Sequence, residues 1–248
     1  MKLVFSGTRG EIEEENPRHK YHSSIVISGE NGSIVIDFGE KHSEEFYKKI
    51  NCYDGLLVTH AHPDHYIWTK MEDNIITIPV FLTETALNYS VNKPLNPVII
   101  RSGICFKIKK FEITPYNVIH SLRCPAVCFK IGLKSKRGAL KKIIYAPDIL
   151  DTEQPKEDVL KDVDVLIADG SSFDVNLVRN RGGRLFGHAT IKTIANWCIK
   201  YGVPELIITH CGKQIVTGDE EVFSDKIHNL TGGMLAFTIA YDGLEIEI

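Results

Sequence analysis

The sequence lacks a long apolar segment, an excess of charge of either sign and any Cys-x-x-Cys pair. No apolar run approaches the roughly 18 residues of a membrane-spanning helix. The N-terminal residues 1–7 run into strand-like sequence without the apolar core of a signal peptide. We therefore expect a cytoplasmic protein that does not enter a membrane. The 29 basic and 32 acidic side chains give a net charge of -3, which argues against a general polyanion-binding surface and leaves only local contacts to nucleic acid.

The six cysteines are scattered along the 248 residues. In a chain of this length they favour small buried thiols in a reducing compartment over a disulfide framework. Linkers and low-complexity tracts are also missing from the sequence. The sequence therefore predicts a single domain spanning residues 1–248.

Short β-prone runs alternate with turns along much of the chain. Residues 2–6, 24–28 and 33–36 are predicted to form strands. In the first half of the chain the sequence also predicts a helix at 43–50 and, within residues 66–92, two helices around a strand at 78–82. In the second half it predicts a helix opened by Gly187-His188-Ala189-Thr190, a helix near 219–228 and an Asp-Gly hairpin around 241–244.

A polar cluster, Thr59-His60-Ala61-His62-Pro63-Asp64-His65, directly follows the apolar run 55–58. Three histidines and a carboxylate at the end of a buried strand are costly to bury unless a cation compensates them. His60 and His62 lie two residues apart, so on an extended strand end they point to the same side and can bind one ion. Asp64 and His65 begin the next turn and face a second ion. The cluster therefore predicts two metals, and the alternative is a merely polar surface loop.

The order His-Ala-His-Pro-Asp-His at residues 60–65 resembles the signature of the metallo-β-lactamase superfamily. The resemblance extends along almost the whole chain. It implies an α+β fold with a four-layer αβ/βα sandwich, and it implies hydrolytic activity. Gly187-His188-Ala189-Thr190 and the run Leu-Ile-Ile-Thr-His ending at His210 are most similar to the ribonuclease Z-like and phosphonate-pathway phosphodiesterase branch.

Three further polar side chains stand where predicted strands end, namely His120, Asp148 and His210. A metal bound by His60 and His62 needs a third ligand, which favours His120. Carried over residue by residue, the resemblance implies one metal held by His60, His62 and His120, a second held by Asp64, His65 and His210, and Asp148 bridging the two. Zinc is the expected metal, with manganese or iron as alternatives, because these ligands suit all three.

His188 is predicted at the N-terminus of a helix, where backbone amides and the helix dipole favour an anion. We assign catalytic roles to His188, as a donor to the phosphate or leaving oxygen, and to Asp64. Asp37 and Asp169 also end apolar strands. They are predicted to support the ligating side chains rather than to bind metal.

The resemblance favours a phosphodiesterase in which a hydroxide between the metals attacks phosphorus in line. A lactonase or thioesterase of the same fold and a non-catalytic metal-binding module are the alternatives. No long basic insertion resembles the RNA-gripping arm of ribonuclease Z enzymes, so a small phosphodiester is preferred as the substrate. RNA is the alternative partner, through the basic stretch 130–142, and the oligomeric state is left open.

The polar loop 7–22 is expected to reach the mouth of the active site, as it does in the superfamily it resembles. His19 and His22 are candidate contacts to a substrate phosphate there. Solvated surface histidines are the simpler interpretation of both.

Overall fold

The structure is a computed structural model that describes residues 1–30, 32–70, 75–134 and 140–248. These residues form seventeen β-strands and six α-helices. The strands are β1 (Lys2–Gly7), β2 (Ser24–Gly29), β3 (Gly32–Ile36), β4 (Gly55–Leu57), β5 (Val80–Leu82), β6 (Pro97–Ile99), β7 (Phe106–Ile108), β8 (Phe111–Ile119), β9 (Ala126–Lys134), β10 (Leu140–Ala146), β11 (Asp151–Thr152), β12 (Val165–Asp169), β13 (Arg179–Arg181), β14 (Arg184–Phe186), β15 (Glu205–Thr209), β16 (Ala236–Ile239) and β17 (Glu245–Glu247). The helices are α1 (Glu44–Lys49), α2 (Glu84–Asn88), α3 (Lys156–Val159), α4 (Ile191–Tyr201), α5 (Lys213–Val216) and α6 (Glu220–Thr231).

The strands form two large sheets and one separate hairpin. The first sheet has seven strands in the order β17-β1-β2-β3-β4-β5-β6. The second has eight strands, in the order β11-β8-β9-β10-β12-β15-β16 with β7 paired to β8, and β13 pairs with β14 alone. Strands β3 to β6 run parallel to one another, as do β10, β12, β15 and β16. Their carboxyl ends therefore meet at one edge of each sheet.

Three apolar clusters define the layers of the fold. One cluster lies between the sheets and joins Leu3 and Ile34 of the first sheet to Phe129 and Ile207 of the second. Another packs α4 and α6 onto the outer face of the second sheet. The third packs α1 and α2 onto the outer face of the first sheet. Helix, sheet, sheet and helix thus form four layers, and the predicted αβ/βα sandwich is confirmed.

Local sequence patterns explain several of these elements. All five residues of β12 are buried, as expected of a central parallel strand covered on both faces. Helix α4 begins after Thr190, whose side chain accepts a hydrogen bond from the backbone N–H of Thr193. It ends at Gly202, whose φ of 71° suits glycine. Ser43 caps α1 as predicted, by accepting a hydrogen bond from Phe46 N.

The predicted hairpin around residues 241–244 is wrong. The turn itself is present, since Leu244 N donates to Tyr241 O at 2.9 Å. However, the strand before it, β16, pairs with β15 in the second sheet, whereas the strand after it, β17, pairs with β1 in the first. The turn therefore carries the chain from one sheet to the other.

Residues 66–92 also differ from expectation. The second predicted helix is present as α2. In the region of the first, the described residues contain a 3-10 turn at Ile67–Thr69, and residues 71–74 lie outside the described part of the chain. The centre of the basic stretch 130–142 lies outside it as well, at residues 135–139. Among the described residues, no helix is both long and apolar enough to cross a membrane.

All six cysteines are free thiols. Four of them are buried, as predicted, and the other two, Cys52 and Cys105, are exposed.

Candidate metal centre

The polar side chains predicted to act together converge where strands of both sheets end. His60, His62, Asp64 and His65 follow β4 in the first sheet, and His120 follows β8 in the second. Asp148 and His210 follow β10 and β15. The backbone supports this convergence at a cost, because Asp37 and His210 adopt left-handed φ angles of 62° and 53°. Seven side chains from distant parts of the sequence thereby meet between the sheets.

His60, His62 and His120 form the first group of candidate ligands. His60 Nε2 lies 2.9 Å from His62 Nδ1, and His120 Nε2 lies 3.4 Å from the same atom. Ligand atoms at the 2.0–2.1 Å bond lengths of a tetrahedral zinc–histidine site are separated by roughly 3.3 Å. The three nitrogens are therefore spaced as a single cation requires.

The outer nitrogens of His60 and His120 have acceptors on the protein. Thr59 Oγ1 donates to Asp37, at 2.9 Å from Oδ2, so its lone pair accepts the N–H of His60 Nδ1 at 3.0 Å. His120 Nδ1 donates to the carbonyl oxygen of Gly187 at 3.2 Å. These hydrogen bonds fix the tautomers and leave the inner nitrogens free to bind a metal.

Asp64, His65 and His210 form the second group. Asp64 Oδ2 lies 3.2 Å from His65 Nε2 and 3.1 Å from His210 Nε2. The outer nitrogen of His65 donates to Asp37 Oδ2 at 2.7 Å. Asp37 thus contacts both Thr59, which accepts from His60 of the first group, and His65 of the second group.

Asp148 lies between the two groups. Its Oδ2 is 2.8 Å from His65 Nε2 and 3.4 Å from His210 Nε2. Its Oδ1 is 3.7 Å from His120 Nε2. One oxygen therefore faces the second group and the other faces the first, which is the orientation that a bridging carboxylate needs.

Unpartnered atoms test whether this arrangement suits a metal. Asp64 Oδ1 is buried without a hydrogen-bond partner, and His65 Nε2 and Asp148 Oδ2, although 2.8 Å apart, are not oriented to form a hydrogen bond with each other. Buried polar atoms are normally satisfied, and each exception needs an explanation. Nitrogen and carboxylate donors without thiolate, left open toward one another, fit divalent transition metals.

The electrostatics agree with this assignment. Burial lowers the pKa of His62 to about 4 and holds the pKa of His60 well below its usual range, so both imidazoles stay neutral, as ligands must. Burial also opposes a charge on His65, but the carboxylates of Asp64, Asp148 and Asp37 outweigh it and raise the pKa of His65 well above its usual range. The potential at this position is strongly negative.

His188 belongs to the same site but uses its Nδ1 differently. This atom donates to Asp169 Oδ2 at 2.7 Å, and Asp169 is itself fixed by the backbone N–H groups of Ile149 and Ser171. Burial opposes protonation, but the Asp169 carboxylate raises the pKa of His188 to about 9. The side chain is 21% exposed and lines the pocket. Its Nε2 is therefore the nitrogen available to a substrate.

The helix that Gly187-His188-Ala189-Thr190 was predicted to open begins later than expected. Helix α4 begins at Ile191 with Thr190 as its N-cap, so His188 precedes the cap by two residues. The ring is oriented by Asp169 and by the neighbouring chain, since Gly187 N donates to His120 O at 2.7 Å. The ring of His188 contacts the carboxylate of Asp169 at the end of β12.

The expectation that His19 and His22 are solvated surface histidines is also wrong. His19 is fully buried, with Nδ1 2.8 Å from Thr8 Oγ1 and Nε2 3.2 Å from Glu220 Oε1. His22 is buried too, and burial lowers its pKa to about 4. Neither histidine lines the pocket at the site. Their predicted contact with a substrate phosphate stays a prediction.

The sequence reasoning missed three residues of the site. Thr59 connects Asp37 to His60. Ser171 Oγ lies 3.1 Å from the Nδ1 atoms of both His188 and His210. Gly10 permits the close approach of His210, because a Cβ atom at this position would lie 2.9 Å from the ring. Thr59 and Ser171 stand at the ends of predicted strands, and this position could have identified them as residues of the site. Nothing in the sequence around Gly10 indicates its contact with His210.

The site opens to a pocket of about 450 Å³. Five of the candidate ligands line it, together with Glu11, Arg179 and Phe186. A larger groove of about 600 Å³ lies beside α1, but none of the candidate ligands lines it. Tyr66 and Trp68 follow the His-Ala-His-Pro-Asp-His segment but do not line this pocket, because both are fully buried in the cluster under α1 and α2. We therefore place the chemistry in the smaller pocket.

Comparison with known proteins agrees with this geometry. The family model described as "Beta-lactamase superfamily domain" matches residues 19–169, which is more than half of the chain and includes all but one of the seven candidate ligands. No curated protein gives a significant match to the sequence.

Several solved structures share the fold along the whole chain. The metallo-beta-lactamase fold protein YhfI from Bacillus subtilis is 16% identical, with a TM-score of 0.72 and 99% of each chain covered. Zn²⁺-bound PqqB from Methylobacterium extorquens is 13% identical, with a TM-score of 0.72 and 100% of each chain covered. A diphosphatase from the PhnP family is 15% identical, with a TM-score of 0.69 and coverage of 100% of this chain and 96% of that one. At these identities the similarity establishes the fold.

Proposed function

The chain belongs to the β-lactamase superfamily, and from that premise we propose that it is a metal-dependent hydrolase that cleaves phosphodiesters at a centre of two divalent cations. The proposal rests on the arrangement of the polar side chains around Asp148. Two groups of three donors lie on either side of Asp148, and a histidine held by a buried carboxylate lines the same pocket.

The chain would hold the two cations as the ligand geometry indicates. His60, His62 and His120 would bind one, Asp64, His65 and His210 the other, and Asp148 both. When bound, the cations supply Lewis acidity and positive charge where charge develops on the phosphoryl oxygens. Zinc is the metal we propose, since three of the seven proposed ligands are histidines whose ring nitrogens approach one another at 2.9 and 3.4 Å. Manganese and iron are the alternatives.

Asp64 and His188 would act on the substrate from opposite sides of Asp148. Asp64 Oδ1 is buried without a partner, so it can accept a hydrogen bond from the attacking water and orient it. Burial alone would favour a neutral Asp64, but His65 and His210 hold its pKa well below its usual range. The protonated His188 donates from Nε2 to a phosphate or leaving oxygen, while Asp169 holds Nδ1.

A charged substrate fits this pocket better than a neutral one. His188 and Arg179 both line the pocket, and neither belongs to the two groups proposed to hold metal. A phosphodiester carries one negative charge and gains from both side chains. A lactone or thioester is neutral and gains little from them in its ground state. A monoester carries a second charge and lacks the esterified group that would extend along the pocket.

The test combines metal analysis with a panel of four substrates: an aryl phosphodiester, an aryl phosphomonoester, a lactone and a thioester. We expect close to two transition-metal ions per chain and the fastest turnover on the diester. Asp148→Ala should lower metal occupancy and hydrolysis together, because the two cations would then lose a shared anion.

Asp225→Ala is the matched control, since Asp225 is an exposed carboxylate on α6, and it should leave both properties unchanged. An Asp148→Ala variant with full metal content and full turnover would remove Asp148 from the site. Faster hydrolysis of the lactone or thioester than of any diester would identify an acyl hydrolase. A fully metal-loaded protein that turns over none of the four substrates would instead indicate a non-catalytic metal-binding module.

A further inference from the structure

The hairpin β13–β14 stands apart from both large sheets at the mouth of the pocket. It lies in the segment between Asp169 and His188, and within the described part of the chain its strands pair only with each other. Gly187 anchors its end, since Gly187 N donates to His120 O at 2.7 Å. Gly187 has a φ of 121°, and a Cβ atom there would lie 2.2 Å from Leu177 O. The hairpin is therefore held against a candidate metal ligand.

One face of this hairpin is cationic. Arg179 pairs with Phe186, and Arg181 pairs with Arg184. Because side chains alternate along a strand and paired residues share a face, these four side chains lie on one side of the hairpin. Arg179 and Phe186 line the pocket, so this face is turned toward the site. Arg181 and Arg184 continue it outward by about 7 Å, at roughly 3.3 Å per residue.

Folding does not explain these arginines. All three are exposed, and none of them forms an ion pair within the described part of the chain. Arg181 lies directly opposite Arg184, and like charges in this position destabilise a hairpin. An arrangement that costs stability at the mouth of a site points to a ligand.

The pocket is also polarised. Apart from the candidate metal ligands and His188, its charged lining residues are Glu11 and Arg179. An anionic group of the substrate is repelled by the first and attracted by the second. Phe186, opposite Arg179, adds a partly buried aromatic surface that a base or aryl group can pack against.

We propose that the β13–β14 hairpin binds a second anionic group of the substrate, so that the preferred substrates are phosphodiesters carrying an additional phosphate beyond the bond that is cleaved. Arg179 contacts this phosphate, and its guanidinium can pair with it through two hydrogen bonds. Arg181 and Arg184 extend the cationic face toward further phosphates. This proposal rests on the proposed function, whose site it deepens.

The test uses two substrates that differ by one phosphate, thymidine 5′-(p-nitrophenyl phosphate) and its 3′-phosphorylated counterpart. The metal-loaded protein should have a higher kcat/KM for the second, and added salt should reduce the difference. Arg179→Gln should lower kcat/KM for the second substrate roughly tenfold more than for the first, as expected for one lost charge-assisted contact to the additional phosphate. Arg179→Lys should keep part of the preference. Arg101→Gln, an exposed arginine outside the pocket lining, is the control and should keep all of it.

Binding of products decides the proposal independently of turnover. Thymidine 3′,5′-bisphosphate should bind more tightly than thymidine 5′-monophosphate, and Arg179→Gln should remove the difference. If neither substrate is cleaved, the proposed function fails while the binding difference still tests the hairpin. Equal binding of the two nucleotides, or equal effects of Arg179→Gln on both substrates, would overturn the proposal. Tighter binding of tetrathymidylate that is lost in Arg181→Gln and Arg184→Gln would identify a nucleic-acid strand as the source of the second phosphate.

Discussion

Replacing His188 with alanine should lower turnover while leaving the metal content unchanged. The Nδ1 atom of His188 is taken by Asp169 at 2.7 Å, and the ring lies outside the two groups of donors proposed to hold metal. A positioned acid–base group contributes typically 10²- to 10⁴-fold to rate, which is roughly 3–5 kcal/mol of barrier. Asp169 keeps the backbone N–H donors of Ile149 and Ser171. Losing its third partner should therefore cost only about 1–3 kcal/mol of stability, and the variant should fold.

The assay compares two diesters that differ in their leaving group. A nitrophenolate departs without much protonation, whereas an alkoxide needs a proton as it leaves. If His188 donates to the leaving oxygen, His188→Ala should be nearly normal on the nitrophenyl diester and strongly impaired on the alkyl diester. If it donates to a non-bridging phosphate oxygen, the two losses should be similar. Metal content and melting temperature are measured on the same samples.

His228 supplies the matched control, because it is an exposed histidine near the end of α6. His228→Ala should match the unmodified protein in turnover on both diesters. Unchanged turnover of both diesters by folded His188→Ala would refute the catalytic role and leave His188 as a packing residue. Loss of metal in that variant would refute the assignment in a different way, by making His188 a ligand.

Three further outcomes follow from the contacts around the centre. Asp37→Asn keeps a residue type that tolerates a left-handed φ, but it weakens the hydrogen bond to His65. Metal affinity, measured by competition with a chelator, should therefore fall roughly 10- to 100-fold. Unchanged affinity would show that Asp37 does not position His65. Gly10→Ala places a Cβ atom 2.9 Å from the His210 ring and should weaken binding of one cation more than the other, so equal affinities for both would disprove the contact. His42 is buried and its pKa is lowered from 6.5 to about 3, which means that the unfolded chain binds its proton first as pH falls. As the pH falls from 6.5 to 3, the metal-free protein should therefore lose about 1.4 kcal/mol of unfolding free energy per pH unit from this group. Denaturation measured at several pH values should show a smaller loss for His42→Phe. An equal loss in the two proteins would contradict this role of His42.

The candidate site was predictable because it follows a simple rule of sheet geometry. Asp148 and His210 each follow an apolar run, and the parallel strands β10, β12 and β15 bring such positions to one edge. His120 reaches the same edge because β8 and β10 are both antiparallel to β9 and therefore run in the same direction. The sequence therefore indicated which residues meet without specifying how. That the inner nitrogen of His62 is Nδ1 while those of His60 and His120 are Nε2 depends on side-chain orientation, which no local pattern encodes.

The residues that were placed wrongly depend on distant partners. His19 sits in a polar segment, yet it is buried because Glu220, 201 positions away, packs against it. The turn at 241–244 has the sequence of a hairpin, but the strands on either side join different sheets. The local sequence predicts the turn correctly, but it does not determine which strands pair with the two strands beside the turn. The single domain, the cytoplasmic location and the open oligomeric state stay predictions.

The distribution of the candidate ligands over both sheets has a consequence for the unfolded chain. A cation held by His62 and His120 would close a loop of 58 positions, and one held by Asp64 and His210 would close a loop of 146. By the chain-entropy relation for cross-links, such loops would raise the free energy of the unfolded chain by about 4 and 5 kcal/mol, respectively. The six cysteines form no disulfide, so the cations would be the cross-links of this protein. Withdrawal of metal would then loosen the two sheets from each other as reduction loosens a disulfide-bonded protein.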